Sequence, residues 1–114
     1  MTAALALDTR PVTLARVAVD RPHVVTPAPY PVIGYTVRFE TGETVTLYDI
    51  CGRYVPRVGW NFSDLERAAI AAIDLARLCR LGDTRYSATH LLAVNGARRE
   101  LEALGFRLEM GEMA

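Results

Sequence analysis

At 114 residues the chain suits a single domain, 1–114, long enough to bury one hydrophobic core without disulfide or metal staples. Hydrophobic residues make up 51%, which excludes intrinsic disorder, and no apolar run approaches the roughly 20 residues that span a bilayer. Zero net charge, from 13 basic and 13 acidic side chains in no long like-charge block, argues against a general electrostatic footprint for nucleic acid and against an acidic nucleic-acid mimic.

All 13 basic residues are arginine. High-GC codon usage explains this as a bland reading; planar, bidentate contact with phosphate or carboxylate is the functional one. Residues 1–11 read as a loosely held N-terminus without a basic leader or a long apolar segment, so the expected location is cytoplasmic. Cys51 and Cys79 belong to no Cys-x-x-Cys pair and read as reduced, buried thiols.

In chain order, Val12–Val19 alternates as a strand, with Ala15, Val17 and Val19 on one face. Asp20-Arg21-Pro22 ends it, and His23-Val24-Val25 is a short extended piece. The stretch 26–31 carries three prolines, which cannot enter a central ladder and hold their predecessors extended. A stiff connector across the end of a sheet and a polyproline ligand are its two readings.

A β-hairpin over about 32–50 is the clearest strand pair. Ile33, Tyr35, Val37 and Phe39 alternate with polar or small residues, and Gly42 marks the turn. A two-residue loop would scatter Val45 and Leu47 onto the wrong face. A three-residue loop, Glu40-Thr41-Gly42 with Gly42 left-handed, pairs Val37 with Val45, Tyr35 with Leu47 and Thr36 with Thr46. That register leaves one apolar and one polar face, and it is the one expected.

Tyr48 to Phe62 reads as a loop rich in arginine and aromatics: Tyr48, Arg53, Tyr54, Arg57, Trp60 and Phe62. Trp, Tyr and Arg are the residues that dominate binding energy at protein interfaces. Bases can also stack on such rings and guanidinium planes. In the plainest reading, Trp60 and Phe62 seal the core where sheet meets helix.

Helices are expected at about 63–81, 87–94 and 97–104. Ser63 and Glu66 form a capping box at the start of the first, and Gly82 supplies its stop. At 100° per residue, Leu65, Ala68, Ala72, Leu75, Ala76 and Cys79 share a face of mostly small side chains suited to close approach to a sheet. Ile70 and Ile73 fall in the polar half, so either later helices cover them or they meet a second copy in a homodimer. Asn95-Gly96 signals a turn between the two later helices, Gly105 stops the last, and a closing strand runs over about 106–110.

Leu101, Leu104, Gly105, Phe106 and Leu108 occupy the spacing in which a helix ends at Leu-Gly-aromatic and enters a strand. Residues 84–109 resemble a winged-helix segment on this pattern. The resemblance implies a DNA-facing helix carrying Arg98 and Arg99, with Arg85 ahead of it.

His23 and His90 lie at no metal-ligand spacing, and no nucleophile-elbow, phosphate-loop or dinucleotide motif is present. The expectation is therefore no catalytic residue, no metal and no cofactor. Were the chain a small enzyme with an unrecognised site, Asp49 and Cys51 at a strand end would be its reactive positions. The expected fold class is α+β: an antiparallel β-sheet built on the hairpin and packed against C-terminal helices. The expected function is a small non-enzymatic protein-binding module, such as a bacterial or phage regulator or inhibitor, with Arg53, Tyr54, Arg57 and Trp60 meeting another protein. A winged-helix-like DNA binder using Arg98, Arg99 and Arg85 is the alternative.

Overall fold

The structure, a computed structural model, describes residues 13–27, 29–56, 59–81 and 88–109. The N-terminal 1–11, Gly82, Arg57 and Arg85 therefore lie outside the described residues. The elements are β1 (Ala15–Val19), β2 (His23–Thr26), β3 (Val32–Phe39), β4 (Thr44–Ile50), β5 (Arg53–Tyr54), α1 (Asp64–Leu81), α2 (Ala88–Ala103) and β6 (Phe106–Leu108). This is the α+β class expected, with the sheet ordered β5-β4-β3-β1-β6 and β2 alongside β3.

The hairpin adopts the three-residue loop. Val37 faces Val45, Tyr35 faces Leu47 and Thr36 faces Thr46, while Gly42 sits at φ 108°, where a side chain would be strained. The apolar faces of β1, β3 and β4 bury Val17, Val19, Tyr35, Val37, Phe39 and Leu47. β1 and β2 follow one another along the same edge of β3, and the proline stretch turns the chain from β2 into β3. The sheet is not wholly antiparallel. β6 returns beside β1 in parallel, tied by Ala15 N–H to Gly105 O at 3.0 Å and Glu109 N–H to Val17 O at 2.7 Å. Phe106 of β6 meets Phe39 edge-on at 4.9 Å between ring centres.

Both halves of the capping box form: Glu66 N–H donates to Ser63 Oγ at 3.1 Å, and Ser63 N–H donates to Glu66 Oε1 at 2.9 Å. The small-residue face of α1 lies against the sheet, with Ala68, Ala72, Leu75 and Ala76 buried. Its other side meets α2, which makes α1 the middle layer. Ile73 is 0% exposed and Ile70 packs half-buried against the core, so cover comes from within the chain. Ile73 is thus not available to the homodimer contact considered above.

The helices expected at 87–94 and 97–104 are one helix. Val94, Ala97, Leu101 and Leu104 recur at 3–4-residue spacing and pack against the core, with Leu101 fully buried. Breaking the helix at Asn95-Gly96 would lose that stripe, which outweighs the roughly 1 kcal/mol that an interior glycine costs. The helix stops where expected, with Gly105 at φ 96°.

Candidate protein-binding surface

The stretch from Tyr48 to Phe62 is more ordered than a loop. β4 runs through Ile50, and Cys51 and Gly52, at φ 54° and 86°, make a tight turn into β5. Two successive left-handed residues give the twist that a two-residue hairpin needs. Asp49 braces the turn by accepting from Gly52 N–H at 2.7 Å. Cys51, expected to be buried, instead stands exposed at its tip because the turn projects from the sheet, and Cys79 is half-buried on α1.

Register then decides what the outer face of the sheet shows. Tyr35 and Val37 point to the helices, so the even-numbered residues of β3 and β4 point away. One row across the strands reads His23, Gly34, Tyr48; the next reads Thr26, Val32, Ile50, Arg53. The His23 imidazole lies over Gly34, where an added Cβ would come within 2.5 Å of its ring. Farther along, the outer face changes character: Arg16 meets Glu40 at 3.2 Å, Arg38 meets Asp20 at 2.9 Å, and Thr36 faces Thr46. The Arg16 backbone N–H and guanidinium hold the Glu40 carboxyl below the usual carboxylate range. One half of the outer face is braced by ion pairs, and the other mixes Tyr48, Val32 and Ile50 with His23, Thr26 and a single arginine, Arg53.

Beyond this face, Val55 is exposed, and Trp60 is 95% exposed in the segment leading to α1. Trp60 does not seal the core; only Phe62 is drawn in, half-buried. Arg53 is exposed and has no acidic partner among the described residues. Tyr54 turns the opposite way, its ring edge-on to Tyr35 at 6.1 Å. Its Oη is buried without a hydrogen bond among the described residues, with the Arg77 guanidinium lying nearby. Burial, and then the charge of Asp74, push the Tyr54 phenol up to about 12. Of the four side chains expected at a protein contact, Arg53 and Trp60 are thus presented to solvent. Tyr54 supports the hairpin from beneath, and Arg57 lies outside the described residues.

Ile50 is the surface residue that composition alone does not mark, although the hairpin register places it, with Tyr48, on the outer face. Arg98 and Arg99 are exposed on α2, with Arg98 donating to Asn95 Oδ1 at 3.2 Å. Between the helices, a cleft of about 450 Å³ holds Asp74, Arg77 and Glu100 over Ala71 and Ala97. Burial raises the Asp74 carboxyl, with Arg77 opposing and Glu100 adding to the shift. A second groove, of about 540 Å³, runs beside β4 and the start of α1, lined by Val45, Phe62 and Leu65 with Glu43 and Glu66. The described residues contain no cluster of three or more side chains able to hold a metal, and no helix long and apolar enough to cross a membrane.

Fold and surface together define a small α+β domain with an uncovered, arginine-bearing end to its sheet. No protein-family model matches the chain, and no curated protein or solved structure matches it.

Proposed function

We propose that this chain is a protein-binding module whose contact surface runs from Tyr48 to Trp60. The observation that carries the reading is the exposure of Tyr48, Ile50, Val55 and Trp60 within one short segment, with Arg53 among them. Scattered apolar residues on a surface need no explanation, but a short segment that exposes Trp, Tyr and an Arg without an acidic partner among the described residues has the composition of interface anchors. Tyr48, Ile50 and Arg53 sit on hydrogen-bonded strands, so they cost little ordering entropy to present. Arg53 offers a planar donor array to a carboxylate or backbone carbonyl, while Trp60 offers the largest apolar area.

The DNA-binding alternative would rest on Arg98 and Arg99, which share their surface with Glu100 and Glu102. Acidic neighbours weaken a phosphate-facing surface.

A photo-crosslinking side chain at position 60, compared with one at Thr41 in the exposed β3–β4 turn, tests the reading. Discrete protein adducts from position 60 that are absent from position 41 are expected. Equal labelling from both, or adducts to nucleic acid alone, would refute it.

A further inference from the structure

The structure offers a second feature beside this surface: an open strand edge. Phe39 N–H donates to Glu43 O at 2.9 Å, so Glu43, Val45 and Leu47 turn their amides toward β3. In an antiparallel pair the intervening residues turn theirs the other way. β5 takes that edge only at Asp49 and Ile50. The outward amides of Thr44 and Thr46 consequently have no partner among the described residues.

Proteins guard such edges with prolines, charges or bulges. β2, on the other side of β3, follows this rule, with Pro22 and Pro27 flanking it. Thr44 to Tyr48 carries no proline, no charge and no shift of register. The groove of about 540 Å³ lies along this edge, its apolar floor made by Val45, Phe62 and Leu65, all half-buried. Glu43, exposed and accepting from the Thr41 hydroxyl, stands at the end where β4 begins.

We infer that an extended segment of a partner protein adds itself as a strand along Thr44–Thr46, placing an apolar side chain on Phe62 and Leu65 and a basic one against Glu43. This deepens the protein-binding reading and rests on it, since Trp60 immediately precedes the groove residues Asn61 and Phe62. Main-chain hydrogen bonds supply affinity in such strand addition, and alternate side-chain pockets supply selectivity. A second copy of this chain paired about Thr46 does not fit. Pairing β4 with itself about Thr46 would set Glu43 against the copy's Asp49, where the copy's own Tyr54 already sits. That register brings like charges together and requires two residues in one place.

The test selects a phage-displayed library of short random peptides on the full chain, then titrates a synthetic form of the enriched sequence. Enriched peptides are expected to alternate apolar residues and to carry Arg or Lys. N-methylation at alternate backbone positions should weaken binding by about tenfold or more, with the intervening positions nearly silent. Thr46→Pro removes one outward donor and the side-chain contact with Thr36 while keeping the main-chain bonds to β3, and a similar loss is expected. Glu43→Arg should switch the preference to peptides carrying an acid in place of the base. If Thr46→Pro fails to fold, the N-methyl scan and Glu43→Arg carry the test. Absence of enrichment, indifference to N-methylation, or a concentration-dependent dimer abolished by Glu43→Arg would each overturn strand addition. Adducts from position 60 in the face of such a result would leave the protein-binding reading standing; loss of both would end both.

Discussion

Ile73 and Ile70 provide a sharp test of how the chain closes its own core. Ile73 is 0% exposed and sits on the middle helix, so Ile73→Ala strips three methylene-sized groups from a fully dry site. At ~0.8 kcal/mol each, the transfer cost is about 2.4 kcal/mol. A residual cavity raises this to about 3–4 kcal/mol, within the range seen for Ile→Ala in cores. Ile70 is only half-buried against the same cluster, so Ile70→Ala should cost about 1–2 kcal/mol. A domain of this size has about 5–15 kcal/mol in hand, and both variants should remain measurable. Urea unfolding at two protein concentrations separates intramolecular cover from a homodimer. For a monomer the midpoints stay fixed as concentration changes, whereas a dimer gains about 1.4 kcal/mol per tenfold increase. Equal costs for the two variants, or a midpoint that climbs with concentration in the wild type and not in Ile73→Ala, would refute the reasoning.

Other expectations follow from single residues. Tyr54→Phe keeps the edge-on ring contact and deletes a buried hydroxyl without a partner, so it should stabilise the fold by about 1 kcal/mol and raise Tm by about 4 °C; a comparable fall would show that Arg77 bonds it. Cys51→Asn places a residue tolerant of φ 54° ahead of Gly52 and should gain about 1 kcal/mol in urea unfolding, where a loss would contradict the turn geometry. Arg16 depresses the Glu40 carboxyl in the folded state, so its stabilisation is present above the unfolded carboxyl's range and drains away as pH falls through the folded value. The gap between wild type and Glu40→Gln in urea midpoint should therefore exist at neutral pH and shrink on acidification and in high salt; a gap that widens in acid would reverse the sign.

The hairpin was legible to the residue because only one register puts Val37, Val45, Tyr35 and Leu47 together, and burying an apolar face decides register strongly. The same register carried Tyr48 and Ile50 to the outer face. That consequence is easily missed, since β5 is two residues long and its turn uses Cys51 where Asn or Gly would announce a hairpin. Asn95-Gly96 misleads for the opposite reason: its local turn preference is real, but the stripe from Val94 to Leu104 is worth more. The parallel pairing of β6 with β1 depends on the path of two intervening helices, which no local pattern encodes. Trp60 is the instructive case in the candidate surface. Composition treats a tryptophan beside a helix start as core, and only the three-dimensional path shows that α1 is already covered on both sides.

Trp60 is also the chain's single tryptophan, which gives the central claim a direct optical readout. With the partner captured from position 60 added in titration, the account predicts red-shifted, readily quenched emission in the free chain. It then predicts a blue shift with protection from quencher on binding, and a loss of about 2 kcal/mol in affinity for Trp60→Ala. Emission that stays red and quenchable at saturation, with Trp60→Ala binding as tightly as wild type, would contradict it.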